Sequence, residues 1–210
     1  MVYITHSGEN LSKINQILKV AQKRFGLYGL QKTTMQEIAS DLGISKASLY
    51  YYFPDKEHLF KAVVEMEQDV FIQLIDDTLK ENYDPIDMLK KFVKIRLDYF
   101  KTFFNLSRLR LEEFKMVRPL LSDTLHQLRQ KEVEIVELIL LQGVERKKFS
   151  ISNTRETAIL FLELLRGLRG LIFQNKELMY VEQEDYDMLY TKLNLFTDIF
   201  IKGIMNYETK

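Results

Sequence analysis

The stretch from Thr33 to Lys56, TTMQEIASDLGISKASLYYYFPDK, has the pattern of two short helices joined by a tight turn. Thr34 followed by Glu37 is typical of a capping box, which satisfies the unpaired amides at a helix start. Gly43 suits the turn because glycine adopts positive φ at little steric cost, and Ser45 is a suitable N-cap for the second helix. The first helix has an apolar face at helical spacing, formed by Met35, Ile38, Ala39 and Leu42.

The second helix of this stretch directs most of its side chains outward. Leu49 and Phe53 are four residues apart and share the inner face. Three consecutive tyrosines cannot all be buried in a helix whose inner positions are already occupied. The pattern therefore predicts a helix-turn-helix whose second helix is a recognition helix. Its outward positions are Lys46, Ala47, Ser48, Tyr50, Tyr51 and Tyr52.

A longer run around this stretch, from Ile17 to Phe60, resembles the DNA-binding domain of the TetR family of transcriptional regulators. The run reads ILKVAQKRFGLYGLQKTTMQEIASDLGISKASLYYYFPDKEHLF and matches without a gap, and its most specific part is SKASLYYYFPDKE. The resemblance implies an all-α protein with an N-terminal three-helix DNA-binding domain. A long fourth helix would join this domain to a helical ligand-binding and dimerisation domain. The implied function is transcriptional regulation, most commonly repression, released by a small-molecule effector.

The resemblance also implies which residues meet DNA. Tyr50 and Lys56 match family positions that grip phosphates, and Thr34 with the amides at the start of its helix would contribute from the other strand. Lys46 matches a position that faces base edges, where its ammonium can donate to guanine O6 and N7. For Tyr52, packing against the first helix stays open as a second interpretation. The residues expected at the DNA are Thr34, Met35, Ser45, Lys46, Ala47, Ser48, Tyr50, Tyr51, Tyr52 and Lys56.

The charge distribution supports the same division of the chain. The 210 residues carry 30 basic and 30 acidic side chains, so the net charge alone does not indicate a nucleic-acid partner. Residues 12–56, however, hold seven basic side chains against three acidic ones, which makes the N-terminal segment the basic end. We expect a DNA-binding domain at residues 1–56 and an effector-binding and dimerisation domain at residues 57–210.

Several other classes of protein lack support in the sequence. The chain has no cysteine, which fits a reducing compartment, and it lacks a signal-peptide pattern or an apolar run of membrane-spanning length. We therefore expect a cytoplasmic protein without a membrane partner. His6, His58 and His126 have no metal-ligand spacing, and neither a phosphate-binding glycine loop nor a catalytic triad is visible. We expect no metal, no cofactor and no enzymatic activity.

Beyond the helix-turn-helix, the scarcity of glycine and proline predicts further helices, about nine in all. In the helix after Pro54, the apolar stripe is expected at Leu59, Val63, Met66, Val70 and Leu74. Pro119 is expected to open a helix of its own. The predicted helical ranges outside the helix-turn-helix are 12–27, 55–80, 85–104, 106–116, 119–145, 154–175 and 184–204.

The last two predicted helices carry more apolar surface than one chain can cover. Gly167 and Gly170 each cost about 1 kcal/mol relative to alanine in a helix interior, and the close approach of another backbone is the usual reason to accept that. We expect a symmetric dimer formed through a four-helix bundle, as the resemblance also implies; a thicker core in a monomer is the alternative. The expected interface comprises Glu163, Arg166, Gly167, Gly170, Phe173, Leu189, Leu193, Phe196 and Phe200.

The resemblance implies an effector pocket in the larger domain. An arginine in an apolar cavity suits an anionic or acyl ligand. For the helix that carries Arg166 and Arg169, however, an ion pair with Glu163 across a dimer interface is the interpretation we favour. A helical protein-interaction scaffold, a regulator without effector, and an enzyme are the competing functions. The expected partners are a palindromic DNA operator, a hydrophobic effector and a second copy of the chain. The candidate pocket residues are Phe71, Phe92, Arg96, Tyr99, Phe103, Arg108, Phe114, Leu128 and Phe161.

Overall fold

A computed structural model describes residues 8–80, 83–102, 111–173 and 182–206. Within these ranges the secondary structure is helical apart from turns and one isolated bridge between Phe149 and Met205, which confirms the expected all-α fold. The described helices are α1 (Gly8–Lys32), α2 (Met35–Asp41), α3 (Lys46–Tyr52), α4 (Lys56–Lys80), α5 (Pro85–Thr102), α6 (Leu111–Glu145), α7 (Thr154–Phe173) and α8 (Gln183–Ile204).

Two glycines with positive φ shape the N-terminal helices. Gly29, with φ of 78° and ψ of 169°, interrupts the helical backbone of α1 one turn before its end. Gly43, with φ of 64°, reverses the chain between α2 and α3, where a residue with a Cβ atom would be strained. The positive φ of Gly43 is the conformation for which the sequence pattern predicted a glycine at this turn. The start of α1 at Gly8 lies four residues earlier than the predicted start at Ser12.

Helix α4 buries the first part of the predicted stripe, Leu59 and Val63, but turns a different face inward in its second half. Its buried residues include Phe60, Val64, Phe71 and Ile75 together with the polar pair Glu67 and Gln68. Two members of the predicted stripe, Val70 and Leu74, are each 48 % exposed. Two stripes of residues along α4 have the same helical spacing. The stripe that is buried contains the polar residues Glu67 and Gln68, so apolar periodicity favoured the adjacent, more apolar stripe.

Helix α6 corrects the predicted break at Pro119. The helix runs for 35 residues with Pro119 inside it. Proline removes one helical hydrogen bond and disfavours the preceding turn, but Pro119 is exposed on this helix, so water can reach the carbonyl that loses its donor. Residues 106–110 of the predicted preceding helix lie outside the described ranges.

The buried side chains form two cores that share the long helices. The first core combines apolar residues of α1, α2, α3 and the first part of α4 with Val117 and Leu121 of α6. The second core begins at Phe71 of α4 and takes in α5, the second half of α6, α7 and α8. Helices α4 and α6 therefore contribute to both cores. The domain boundary at residue 56 stays a prediction.

Candidate DNA-binding and ligand-binding sites

Helix α3 is held by one buried anchor and one capped end. Leu49 has 0 % exposure and belongs to the first core. The Ser45 hydroxyl oxygen accepts a hydrogen bond from the Ser48 amide at 3.0 Å and lies 2.8 Å from the Ser48 hydroxyl. The cap satisfies an amide at the helix start, and the anchor fixes which face of α3 points outward.

The outward face of α3 is polar and aromatic. Tyr51 is 75 % exposed, and the Lys46 ammonium lies 5.7 Å from the centre of the Tyr50 ring. Tyr52 is half-buried against the first core and meets the Tyr51 ring edge-on at 5.2 Å. The core-packing interpretation of Tyr52 therefore accounts for part of its surface. Exposed residues at the start and along this face are Ser45, Lys46, Ala47, Ser48, Tyr50 and Tyr51.

The remaining candidates for DNA contact lie at two other helix starts. Thr34 caps α2, where its hydroxyl accepts from the Glu37 amide at 3.2 Å and donates to the Glu37 carboxylate at 2.8 Å. Lys56 begins α4, and its ammonium donates to the Gln31 carbonyl at 3.4 Å. The side chain of Met35 is buried in the first core, so its predicted DNA contact could come only from its backbone amide at the start of α2.

A salt-bridge clamp fixes α1 against α2. The Arg24 guanidinium donates two hydrogen bonds to Asp41, at 2.6 Å and 3.0 Å, and lies 3.2 Å from Glu37. These hydrogen bonds lower the pKa of the Asp41 carboxyl, and the Thr34 hydroxyl and amide lower the pKa of Glu37. Bidentate geometry of this kind adds orientation as well as attraction. The clamp therefore keeps α2, and the turn after it, in register with α1.

Helices α7 and α8 carry exposed apolar side chains, and α7 also has two exposed glycines. Apart from the adjoining residues and backbone of α7 itself, no described atom would lie within 4 Å of a Cβ atom added at Gly167 or Gly170. The side chain of Glu163 is exposed on the same helix. The exposed apolar residues on these helices include Leu160, Leu164, Met188, Tyr190, Leu195 and Ile199.

Two residues predicted at the dimer interface lie instead in the core of the chain itself. Leu189 and Leu193 are 1 % and 4 % exposed within the single chain, so they have no side-chain surface left for a partner. Phe196 and Phe200 are half-buried and pack against Phe161 at ring-centre distances of 5.7 Å and 4.5 Å. The side chain of Phe173 lies outside the described residues.

The predicted pocket aromatics divide between the two cores. In the second core, the ring of Phe71 on α4 stacks on the ring of Tyr99 on α5, with 4.5 Å between the ring centres. Phe92 of α5 is buried in the same core. Phe161 also lies in this core, and Leu128 packs at its edge. Phe114 packs against the first core, so it lies apart from the candidate pocket residues of the second core. Phe103 and Arg108 lie outside the described residues.

A buried carboxylate that the sequence analysis missed organises the charges of the second core. Glu132 of α6 is 4 % exposed. It accepts a hydrogen bond from Arg96 Nε at 2.5 Å and lies 3.8 Å from Arg166 Nη1. The buried Arg166 Nη1 makes no hydrogen bond to a described residue. Glu132 stands four residues before Val136 on the buried face of α6, so an acidic residue on an apolar stripe was the signal that could have revealed it.

Beside this ion pair lies a small cavity between α5, α7 and α8. The volume that the centre of a water molecule can reach inside it is about 10 Å³, which is room for about one water. Arg169 lines it together with Arg96 and lies 4.7 Å from the centre of the Phe100 ring. Burial, and then repulsion by Arg96, lower the pKa of the Arg169 guanidinium to about 10. The apolar walls are Val93, Leu97, Phe100, Leu165, Leu189 and Leu193.

The part of the chain that the structure describes holds neither a metal-binding cluster nor a membrane-spanning helix. No group of three or more histidine, aspartate or glutamate side chains there is placed to hold a metal ion. Likewise, none of the helices examined in those ranges is long and apolar enough to cross a membrane.

An exposed, capped helix mounted on a three-helix frame is the defining feature of helix-turn-helix DNA-binding proteins. The family model described as bacterial regulatory proteins, tetR family, matches residues 17–63. A crystal structure of a transcriptional regulator from Cytophaga hutchinsonii is 43 % identical, covers 92 % of this chain and 98 % of its own, and superposes with a TM-score of 0.84. The chain belongs to the TetR family of bacterial transcriptional regulators.

Two further proteins match this chain at lower sequence identity. The transcriptional regulator RutR of Escherichia coli K12 is 32 % identical over 114 residues, which are 54 % of this chain and 53 % of RutR. The chain thus matches only about half the length of RutR. The nucleoid occlusion factor SlmA of Klebsiella pneumoniae is 27 % identical over 163 residues, which are 76 % of this chain and 81 % of SlmA.

Proposed function

We propose that this protein is a homodimeric transcriptional repressor that binds a palindromic DNA operator in the cytoplasm and leaves it when a small-molecule effector binds. The observation that carries the proposal is the outward face of α3, where Lys46, Ser48, Tyr50 and Tyr51 are exposed around the fully buried Leu49. A solvent-exposed aromatic and basic face on a rigidly anchored helix fits the major groove, which admits one helix.

The DNA contacts divide into phosphate grip and base contact. Tyr50 offers a hydroxyl and Lys56 offers an ammonium at the start of α4, where the helix dipole also favours an anion. Thr34 already uses its hydroxyl within its capping box, so we assign its end of α2 a backbone contribution. Lys46, at the first position of α3, is the candidate for guanine contact.

The outer face of α7 and α8 supports a dimer. Gly167 and Gly170 are exposed in the single chain, and no described atom of that chain approaches them. Their cost of about 1 kcal/mol each in a helix interior is therefore not offset within the described chain. A second copy packed on Leu160, Leu195 and Ile199 would bury this surface and hold the two α3 helices about 34 Å apart, as successive major grooves require.

The two cores offer a route from effector to DNA. Because α4 and α6 contribute to both cores, a shift of either helix in the second core displaces residues of the first. Gln22 of α1 also donates a hydrogen bond to the buried Glu67 of α4 at 3.0 Å. A displacement of a few ångströms at α3 changes the groove-to-groove separation and favours release.

An electrophoretic mobility-shift titration with the DNA upstream of the protein's own gene tests the proposal. The double variant Tyr50→Ala and Lys56→Ala should weaken binding to specific and random duplexes alike and flatten the salt dependence. Lys46→Ala should in addition reduce the preference for the operator. Lys131→Ala removes an exposed charge that pairs with Glu134 on α6 and should change neither. If the wild-type protein ignores duplex DNA, a protein-interaction scaffold becomes the better interpretation.

A further inference from the structure

Polar side chains interrupt the buried faces of α4 and α6 between the two apolar cores. The last fully buried apolar residue of α4 in the first core is Val64, and the first in the second core is Phe71. The buried positions between them are polar, with Glu67 at 2 % exposure and Gln68 at 7 %. On α6 the buried Thr124 follows the last buried residue of the first core by three positions. The two cores are therefore divided by polar groups on both long helices.

Two hydrogen bonds cross this division from helix to helix. The half-buried Gln22 of α1 donates from Nε2 to Oε1 of Glu67 on α4 at 3.0 Å. The Thr124 hydroxyl of α6 donates to Oε1 of Glu65 on α4, also at 3.0 Å. Helix α4 is therefore tied to a neighbour on each side where the cores divide. These four residues and Gln68 make up the polar layer.

A buried hydrogen-bonded pair specifies position more sharply than apolar contact does. Apolar side chains can repack in more than one arrangement and lose uniqueness before they lose stability. A shift that separates Gln22 from Glu67, in contrast, leaves a buried carboxylate without that donor. The best-attested role of buried polar groups is to fix the register of packed helices, often at some cost in stability. The polar layer is therefore suited to determine how the first core sits on the second.

We propose that the polar layer sets the angle of the DNA-binding helices relative to the rest of the chain, with Gln22 and Glu67 as its main positioning residues. Gln22 lies on α1, which shares the first core with Leu49, the anchor of α3. The hydrogen bond to Glu67 thus orients the unit that carries α3. In a dimer, a change of this angle alters the separation of the two α3 helices, which have to enter grooves about 34 Å apart. This inference rests on the proposed function and adds the residues that decide operator spacing.

Mobility-shift titrations with operators of different half-site spacing test the proposal. The probes are the palindrome that footprinting locates in the DNA upstream of the protein's own gene, and copies with one base pair inserted or removed at its centre. The double variant Gln22→Met and Glu67→Met keeps both side chains long and removes their hydrogen bond.

We expect the double variant to bind the native operator about tenfold more weakly, on the scale of one hydrogen bond to a charged group. It should lose most of its preference among the three spacings and bind random duplex as the wild type does. Its urea midpoint should not fall, since apolar replacement of a buried polar pair is often neutral or stabilising.

A donor–acceptor exchange tests the pairing itself. Gln22→Glu alone places two carboxylates together and should weaken binding to the native operator. Adding Glu67→Gln restores an amide–carboxylate pair across the same two helices and should recover most of the spacing preference. Gln73→Met is the matched control, because it removes the same kind of amide from an exposed position of α4, where it donates to Asp77 at 3.0 Å. Absence of recovery in the exchanged pair would overturn the proposal.

A distance measurement tests the angle without DNA. The chain has no cysteine, so Ser40→Cys, at an exposed position of α2, places one spin label on each subunit of a dimer. Double electron–electron resonance should give a broader distribution of distances between the two labels when Gln22 and Glu67 are both methionine. Identical distributions would overturn the proposal even if operator binding falls.

Three further outcomes separate this inference from its alternatives. If the double methionine variant loses stability and binds all three spacings more weakly in proportion, the polar layer is only structural and the proposal is wrong. If the wild type binds the operator without a preference for spacing, the proposal is wrong while the DNA-binding function stands. If the wild type ignores duplex DNA but the label distances broaden in the variant, the proposed function fails while the positioning role stands.

Discussion

The two cores of this protein differ in where their arginine–carboxylate ion pairs lie. Around the first core, the Arg24 clamp to Asp41 and Glu37 lies at the surface, and the interior side chains that orient α3 are apolar. In the second core, Arg96 and Glu132 form an ion pair inside the helical bundle. An apolar interior supports the fixed surface of α3 that we propose for DNA, whereas an ion pair inside the bundle is costly to break because it is removed from water.

The largest effect we predict is for Glu132→Gln. This change leaves Arg96, Arg166 and Arg169 together without a buried carboxylate, and breaking one side of a buried ion pair destabilises by about 3–5 kcal/mol. Urea denaturation followed by circular dichroism measures it. The matched control is Glu137→Gln, which breaks the exposed pair with Arg155 and should cost at most about 1 kcal/mol. If both variants lost a similar free energy of unfolding, burial would not make the Arg96–Glu132 ion pair more important for stability than the exposed one.

Leu49→Ala probes the apolar anchor of α3. Removing a fully buried leucine side chain costs about 2–5 kcal/mol, and here the loss falls on the helix proposed to enter the groove. Hydrogen exchange should show faster opening of α3 than of α7. As a control, Leu11→Ala removes a leucine that is 55 % exposed and should stay within about 0.5 kcal/mol of the wild type. Uniform opening across the chain would show that the two cores unfold as one unit.

Ser45→Ala tests the cap of α3. Loss of an N-cap hydroxyl costs about 1 kcal/mol, and the buried anchor Leu49 remains in place. Chemical denaturation monitored by circular dichroism gives the value, and Ser45→Asp should restore most of it because aspartate also caps helices and favours the positive end of the dipole. A loss as large as that of Leu49→Ala would contradict the view that burial, more than capping, holds α3.

The smallest effect concerns acid. Because Arg24 lowers the pKa of Asp41 in the folded chain, the clamp contributes stability at pH above the ordinary aspartate pKa of about 4. That contribution disappears as the pH falls through the lowered folded-state pKa, and it is constant between pH 6 and 8. Denaturation midpoints measured from pH 7 to pH 3 should fall less steeply for Arg24→Gln than for the wild type. Parallel curves would show that the clamp is too well solvated to matter.

Local patterns predicted the helix-turn-helix well, since a capping box, a glycine turn and a residue spacing all act over a few residues. The apolar spacing also placed Met35 on the inner face of α2, and its side chain lies in the first core. For the second core, apolar periodicity selected the wrong stripe of α4 and assigned Leu189 and Leu193 to a partner. Periodicity gives a helix an apolar side but does not say which neighbour covers it.

The sequence by itself determined the all-α class, the family and the exposed tyrosine-bearing face of α3, because these depend on short-range spacing and on a long ungapped motif. Only the tertiary structure decided that α6 continues through Pro119, that Glu132 pairs with Arg96, and that Arg169 lines a cavity. These contacts join residues on different helices, 36 positions apart in the case of Arg96 and Glu132. Their electrostatic energy depends on burial and distance, which no local pattern contains.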